Sequence, residues 1–432
     1  MNFISETSSQ RLKTGTVAVW GKVGEVQPPH LVLPITVEPS KPRLCMDARF
    51  LNLWMKDTPF FLDKLIDVPR FVYKNSFMSK IDDKSGYDHI LLTKESSQYF
   101  GIEWNGLWGV CTTLPFGCKN SPYMYQTIGL VATNFFRQKG IACSLYIDDR
   151  LNGELFTKKG FWSRPIGQRG TGYSYQSREA ALYIVCKVLT HLGYFLGLKK
   201  CVLAPTQRIL YLGMLIDSTL QAFLIPEGKK ERFASLREGI LIRKSSIPLK
   251  SLQRLMGNCI SFSLAFPGAK FYIPEMAQAV GRASPKGEIQ LTAGLREELE
   301  FWRFLDEWDK HITWKDEKHW AFSVSTDASL SRWAGVIHCQ PNDVVLGDFW
   351  ESDLAEVSIN VKEMWAIAKV LESLPPDIRD CRVDVQVDSQ AAIHTWMGRG
   401  GRSRELAKVA RHIFQLVTQR NILLELSYVP SI

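Results

Sequence analysis

Asp82, Asp148 and Asp149 are the residues whose type and spacing best suit them to chemistry. Asp82 ends the short segment 77–81, which reads as a strand. Residues 144–147 are apolar, Asp148-Asp149 reads as a turn, and 150–155 returns, so two carboxylates sit at a hairpin tip. Carboxylates arranged this way can converge on two magnesium ions about 3.5–4 Å apart, which activate a hydroxyl and stabilise a leaving pyrophosphate. A second set is Asp327, Glu363 and Asp388. Asp327 continues the polar face of Ser323 and Ser325, and Asp388 lies on the polar face of a strand beginning at Cys381. Glu363 falls in the first turns of a helix between them, so three acids are again placed to hold paired magnesium and direct water at a phosphodiester.

The elements that must carry these residues follow from periodicity. Ser121-Pro122 opens a helix over 121–138, with Met124, Ile128, Val131/Ala132 and Phe135 as its stripe, and Gly140 ends it. Residues 178–192 read as an amphipathic helix, and 226–315 as mostly helical, with Leu291, Leu295, Leu299 and Trp302 as a core stripe. From about 318 strands alternate with helices, which marks a separate α/β domain. Residues 155–178 read as an insertion mixing Lys158, Lys159, Arg164, Arg169 and Arg178 with Phe161, Trp162, Tyr173 and Tyr175. That mixture suits phosphate contact and base stacking, or else a surface loop without a role. Arg399, Arg402, Arg404, Lys408, Arg411 and Arg420 form a basic stretch that reads equally as a nucleic-acid handle or a solvated helix face.

Composition sets the frame. The chain has 432 residues, 45% hydrophobic and 22% charged, which excludes a disordered, collagen-like or coiled-coil protein. It carries 53 basic against 44 acidic residues, a net charge of +9, which favours an anionic partner. No run of 18 apolar residues and no apolar leader occurs, so neither a membrane span nor secretion is expected, and an intracellular place, cytoplasmic or nuclear, is. Nine cysteines without a Cys-x-x-Cys pair point to reduced thiols and no zinc site.

The wording around the acids resembles that of reverse transcriptases. Residues 41–52, Lys-Pro-Arg-Leu-Cys-Met-Asp-Ala-Arg-Phe-Leu-Asn, look like the family's fingers motif. Residues 80–87 look like motif A, Leu114-Pro115-Phe116-Gly117 through Gln126 like motif B, and Tyr146-Ile147-Asp148-Asp149 like motif C. Leu198-Lys199-Lys200-Cys201 and 209–213 look like motifs D and E. Thr326-Asp327-Ala328-Ser329, residues 360–363 and residues 387–392 are similar to a retroelement ribonuclease H domain. Leu31-Val32-Leu33-Pro34 and residues 84–89 give the whole a DIRS-like or related LTR retrotransposon character.

The resemblance implies an α+β right-hand polymerase with fingers, palm and thumb, followed by an α/β ribonuclease H-like domain. The expected parts are 1–225 for fingers and palm, 226–317 for a helical thumb or connection, and 318–432 for the nuclease domain. Asp82 and Asp148 would be the main metal ligands, assisted by Asp149, with Asp83 structural or solvated. Arg43 would reach the triphosphate and Tyr87 would be the steric gate. Phe116, Gly117 and Gln126 would line the nucleotide pocket, with Lys200, or Lys199, near the phosphates. Tyr146, Leu212 and Gly213 would touch the primer. The implied cofactor is Mg2+, two ions at the polymerase site and a second pair held by Asp327, Glu363 and Asp388. The implied partners are an RNA or DNA template, a primer strand and deoxynucleotides, with no membrane. Family members follow Tyr-Val-Pro with a helix bearing a fourth acid, whereas Val429-Pro430 here leads to Ser431-Ile432, so a weakened nuclease is expected. The rival reading is a non-catalytic nucleic-acid-binding relic of such an element.

Overall fold

A computed structural model describes residues 2–38, 42–155, 173–243, 245–283, 287–308, 311–314, 321–339, 341–398 and 403–430. They form two compact units, Met1–Gln221 and Ala222–Ile432. Of the basic–aromatic stretch expected at 155–178, residues 156–172 lie outside the described residues, as do Lys41, Arg399 and Arg402, and residues 173–178 are helical rather than irregular. No helix among the described residues is long and apolar enough to cross a membrane.

In the first unit, helix α1 (Asn2–Thr14) leads into strand β1 (Val17–Lys22). Strands β2 (Ile35–Val37) and β3 (Leu44–Met46) form a hairpin, followed by helix α2 (Arg49–Trp54). Strand β4 (Met78–Asp82) comes next, and then β5 (Gly101–Trp104) and β6 (Leu107–Cys111), which pair with β1 in the order β1-β6-β5. Helix α3 (Ser121–Gln138) precedes strands β7 (Ile141–Tyr146) and β8 (Asp149–Leu155). After helix α4 (Tyr173–His191), strand β9 (Val202–Thr206) completes a four-stranded sheet ordered β7-β8-β4-β9. Strands β10 (Arg208–Tyr211) and β11 (Met214–Asp217) form a last hairpin.

Helix α3 has the expected span but not the expected face. Tyr125, Gly129, Ala132 and Phe136 are buried, while Met124, Ile128, Val131 and Phe135 are exposed. The helix turns toward the sheet the face that also carries Gln126 and Thr133, because polar groups below it need those partners. The hairpin turn also sits one residue earlier than expected. Ile147-Asp148 is the loop, and Asp149 is already paired in β8 opposite Tyr146 and Asp82.

In the second unit, helices α5 (Glu227–Leu241), α6 (Leu249–Ser261), α7 (Pro274–Gly281) and α8 (Ala293–Phe301) precede a five-stranded sheet. Its strands are β12 (Ala321–Ala328), β13 (Arg332–His338), β14 (Val344–Phe349), β15 (Arg382–Val387) and β16 (Leu423–Tyr428). Their order is β14-β13-β12-β15-β16, antiparallel across the first three and parallel across β12-β15-β16. Helix α9 (Ile359–Ser373) makes the crossover from β13–β14 to β15 and buries Val361, Met364, Ala368 and Leu371. Helices α10 (Gln390–Met397) and α11 (Arg404–Gln419) precede β16.

The helical stretch, expected as a part of its own, belongs to the same compact unit as this sheet. Aromatic packing joins them. Phe414 of α11 lies 5.4 Å from Phe266 and 5.8 Å from Phe271, ring to ring, and Phe271 lies 5.8 Å from Trp396. Gly268 admits this contact, since a Cβ there would meet the Phe414 ring at 2.3 Å. Leu295, Leu299 and Trp302 are buried as expected, and Leu291 lies just ahead of α8.

Candidate active site and second acidic centre

Strand β4 carries Asp82 at its end, and the antiparallel register sets it directly opposite Asp149 of β8. Asp148 occupies the tight loop between β7 and β8. The three acids therefore meet at one end of the sheet, two on adjacent strands and one on a turn. Ile147 in that turn has φ 56°, a conformation costly for a β-branched residue. Gln126 of α3 holds it: Oε1 accepts from Ile147 N at 2.8 Å, and Nε2 donates to Leu145 O at 3.2 Å. Gln126 is 1% exposed, so it is a clamp on the hairpin and not, as expected, a pocket wall for a nucleotide.

Two lysines neutralise the cluster. Lys200 Nζ lies 3.1 and 3.2 Å from the Asp82 carboxylate oxygens, so its charge is engaged by an acid and does not stand free beside phosphates. That pairing holds its ammonium above the ordinary lysine value. Lys80 Nζ lies 2.8 Å from Asp149 Oδ1. Burial pushes Asp148 above the usual carboxylate range, and the nearby charges of Asp149 and Asp82 add to that.

Beneath the acids is a buried ion pair that the sequence reading missed. Strand alternation turns the residues after Asp82 and Asp149 to the opposite face. There Arg150 Nη2 lies 3.3 Å from Asp83 Oδ2, with both side chains buried. The Tyr125 hydroxyl donates to Asp83 Oδ2 at 2.6 Å, and Arg150 Nη1 donates to Thr133 Oγ1 at 3.0 Å. Asp83 is thus structural and not solvated. Tyr211 adds a further tie, its hydroxyl donating to Asp149 O at 3.3 Å from the β10–β11 hairpin. Leu212 and Gly213 form the tip of that hairpin, both with positive φ.

Beside the acids, the Tyr87 ring packs tilted against Phe116 at 4.9 Å between centroids, and the exposed Arg43 guanidinium lies 5.2 Å over the Phe116 ring. Burial, and next the charge of Asp148, push the Tyr87 hydroxyl up to about 12. Tyr146 is exposed next to the Ile147-Asp148 turn. Phe116 O accepts from Met46 N at 2.9 Å, and Asn52 Nδ2 donates to Gly117 O at 2.9 Å, so β3 and α2 clasp this wall. Gly117 has φ 108°, and a Cβ there would fall 2.0 Å from Met46 O. Gly117→Ala is therefore expected to cost roughly 2–4 kcal/mol and to part the wall from β3. Urea midpoints check this, and a shift below the measurement error would contradict it.

In the second unit, Asp327, Glu363 and Asp388 offer ligand atoms that all lie within 4.8 Å of one another. Among the described residues this is the one such trio, and Asp82, Asp148 and Asp149 do not draw together as closely. Parallel pairing brings the acids together: Ser325 lies opposite Gln386, so two residues on Asp327 and Asp388 leave neighbouring strands side by side. Glu363 projects from α9, and its Oε2 is buried and accepts no hydrogen bond. Burial first, then Asp388 and Asp327, push Glu363 up to about 8. Two residues of the basic stretch expected as a handle near here are engaged within the fold. Arg420 Nη1 donates to Leu371 O and Leu374 O, and Arg411 lies 5.5 Å over the Tyr272 ring. Lys408 is exposed.

Residues 44–216 match the family described as reverse transcriptase (RNA-dependent DNA polymerase), and that segment is a reverse transcriptase domain. No curated protein sequence matches the chain. Among solved structures, a foamy viral protease-reverse transcriptase in complex with dsDNA is similar at TM-score 0.59 and 16% identity, covering 100% of this chain and 83% of that one. Its dRH form with dsDNA gives the same TM-score and identity over 70% of that chain. The foamy viral protein in complex with an RNA/DNA hybrid is similar at TM-score 0.54 and 17% identity, covering 98% of this chain and 53% of that one. The likeness is one of fold, and it is the polymerase fold.

Proposed function

We propose that this chain, through the reverse transcriptase domain at residues 44–216, is an RNA-directed DNA polymerase that extends a primer 3′ end with deoxynucleotides. The observation that carries the reading is that the matched segment contains the whole acid set, Asp82, Asp148 and Asp149, on one sheet end. Primer–template duplex is the partner this implies, as in the foamy viral complexes with dsDNA and hybrid.

Divalent metal suits these residues. Three clustered carboxylates need cations, and two lysine ammonium groups already stand in that role. Asp82 and Asp148 would hold the ions, which supply an activated 3′-hydroxyl and offset charge on the leaving pyrophosphate. The chain's own residues do the positioning. Gln126 fixes the turn that presents Asp148. Tyr87 and Phe116 form an aromatic wall for the incoming sugar, and Arg43 at its rim suits the triphosphate. The Leu212-Gly213 tip would lie along the primer.

The second acidic centre supports an attached hydrolytic activity of ribonuclease H type. Its support is a sheet of three antiparallel and two parallel strands that carries a close acid trio. The buried, unpartnered Glu363 oxygen fits a metal ligand. The parts of the chain would then be polymerase fingers and palm up to about residue 225, a thumb or connection to about 317, and a nuclease-type domain beyond.

The test is primer extension on an RNA template with magnesium and four deoxynucleotides, comparing the chain with Asp148→Ala/Asp149→Ala. Extension by the first alone is expected. A folded protein that binds hybrid yet extends nothing would replace this reading with a non-catalytic one.

A further inference from the structure

We propose that Lys80 is a built-in counter-ion that withholds Asp149 from metal and so sets the divalent-ion affinity of the polymerase site. The inference rests on the proposed polymerase reading. It starts from the register: Lys80 pairs with Leu151 and Asp82 with Asp149, so Lys80, Asp82 and Asp149 share one face of the sheet, with Lys80 and Asp149 as diagonal neighbours. The sheet thus holds the ammonium 2.8 Å from Asp149 Oδ1.

The two lysines at this site differ in what they can do. The Lys200 side chain is 67% exposed and projects from the loop between α4 and β9, so it can leave Asp82 when a cation arrives. The Lys80 side chain is 16% exposed and rises from the middle of β4, which is paired on both sides. An embedded ammonium has no comparable path into solvent, and taking it off its carboxylate would leave a part-buried charge unpaired. The Lys80–Asp149 pair therefore persists when Asp82 is freed. Asp82 and Asp148 remain as the carboxylates open to metal, and Lys80 supplies one positive charge that a metal would otherwise supply.

The test uses Mn2+ alone, without nucleotide or nucleic acid, and reads free ion by electron paramagnetic resonance. The 432-residue chain carries Glu363→Gln throughout to silence the second trio, and metal-free melting confirms that each variant is folded. Lys80→Met, which keeps the aliphatic stem, is expected to bind Mn2+ about tenfold more tightly, because it frees a carboxylate and removes a charge. Lys80→Arg, which can keep the pair, is expected to stay near the parent. In an Asp149→Asn background Lys80→Met should tighten binding less than about threefold, the through-space share alone. Equal tightening in both backgrounds, or none in Lys80→Met, overturns the inference while binding that is lost in Asp148→Asn upholds the polymerase reading. Parent binding that is unchanged by Asp148→Asn overturns both.

Discussion

Arg150→Met is expected to destabilise the N-terminal unit by roughly 3–5 kcal/mol, the usual cost of removing one partner from a buried ion pair. Arg150 is 1% exposed and Asp83 2%, and no water-facing route lets either charge solvate. Without the guanidinium, Asp83 keeps the Tyr125 hydroxyl but loses its counter-charge. Burial already raises the Asp83 pKa in the intact protein, and Arg150 is the largest influence opposing that rise. The variant should therefore take up a proton at Asp83. A raised folded-state pKa means stability that is present at low pH and lost as pH rises through the folded value. The deficit should accordingly shrink on acidification toward the ordinary aspartate value of 3.8. The double variant Asp83→Leu/Arg150→Met should recover much of the loss, since apolar pairs of similar volume often replace buried ion pairs without cost. Urea denaturation at two pH values, for both variants, reads all of this. A deficit under 1 kcal/mol, or a double variant no better than the single, would show that the pair is not what holds the two strands.

Glu363 governs the second large effect. Burial, and next the charges of Asp388 and Asp327, push its carboxyl up to about 8, against 4.5 for an ordinary glutamate. The folded state binds that proton more tightly than the unfolded chain does. Stability from this source is therefore complete below 4.5 and is lost as pH rises through about 8. Divalent metal must displace the same proton, so magnesium-dependent stabilisation should grow as pH approaches 8 and then level off. Glu363→Gln should flatten the metal-free pH slope and abolish the part of the magnesium increment that belongs to this unit. It should also remove the proposed hybrid cleavage. Melting curves with and without magnesium across that range decide it. A glutamine variant with the parent's pH slope would mean that Glu363 is not the group that titrates.

The acids themselves were legible in the sequence. Asp82 at a strand end, Asp148 and Asp149 at a hairpin, and Asp327 and Asp388 on strand faces follow from period-two alternation and turn position, and Glu363 from helical periodicity, all of them local properties. So were the spans of α3 and the central strands of the C-terminal sheet. What surrounds the acids was not legible, because partners there come from residues far apart in the chain. Lys200 meets Asp82 across 118 positions, and Arg150 meets Asp83 across 67. A signal for the latter was present: the residue after each of two acids on paired strands must turn to the core, and there the two carry opposite charge. Reading it required knowing that the strands pair. The face of α3 was misjudged for the same reason. Of the expected apolar stripe of Met124, Ile128, Val131/Ala132 and Phe135 only Ala132 is buried, because the buried ion pair and the strained turn at Ile147 need Tyr125, Gln126 and Thr133 on the inner face. Unsatisfied buried polar groups cost more than a few exposed apolar side chains, and that comparison exists only once the helix lies on the sheet. The sequence thus determined which atoms are available for chemistry, and the tertiary structure decided which of them are already spoken for.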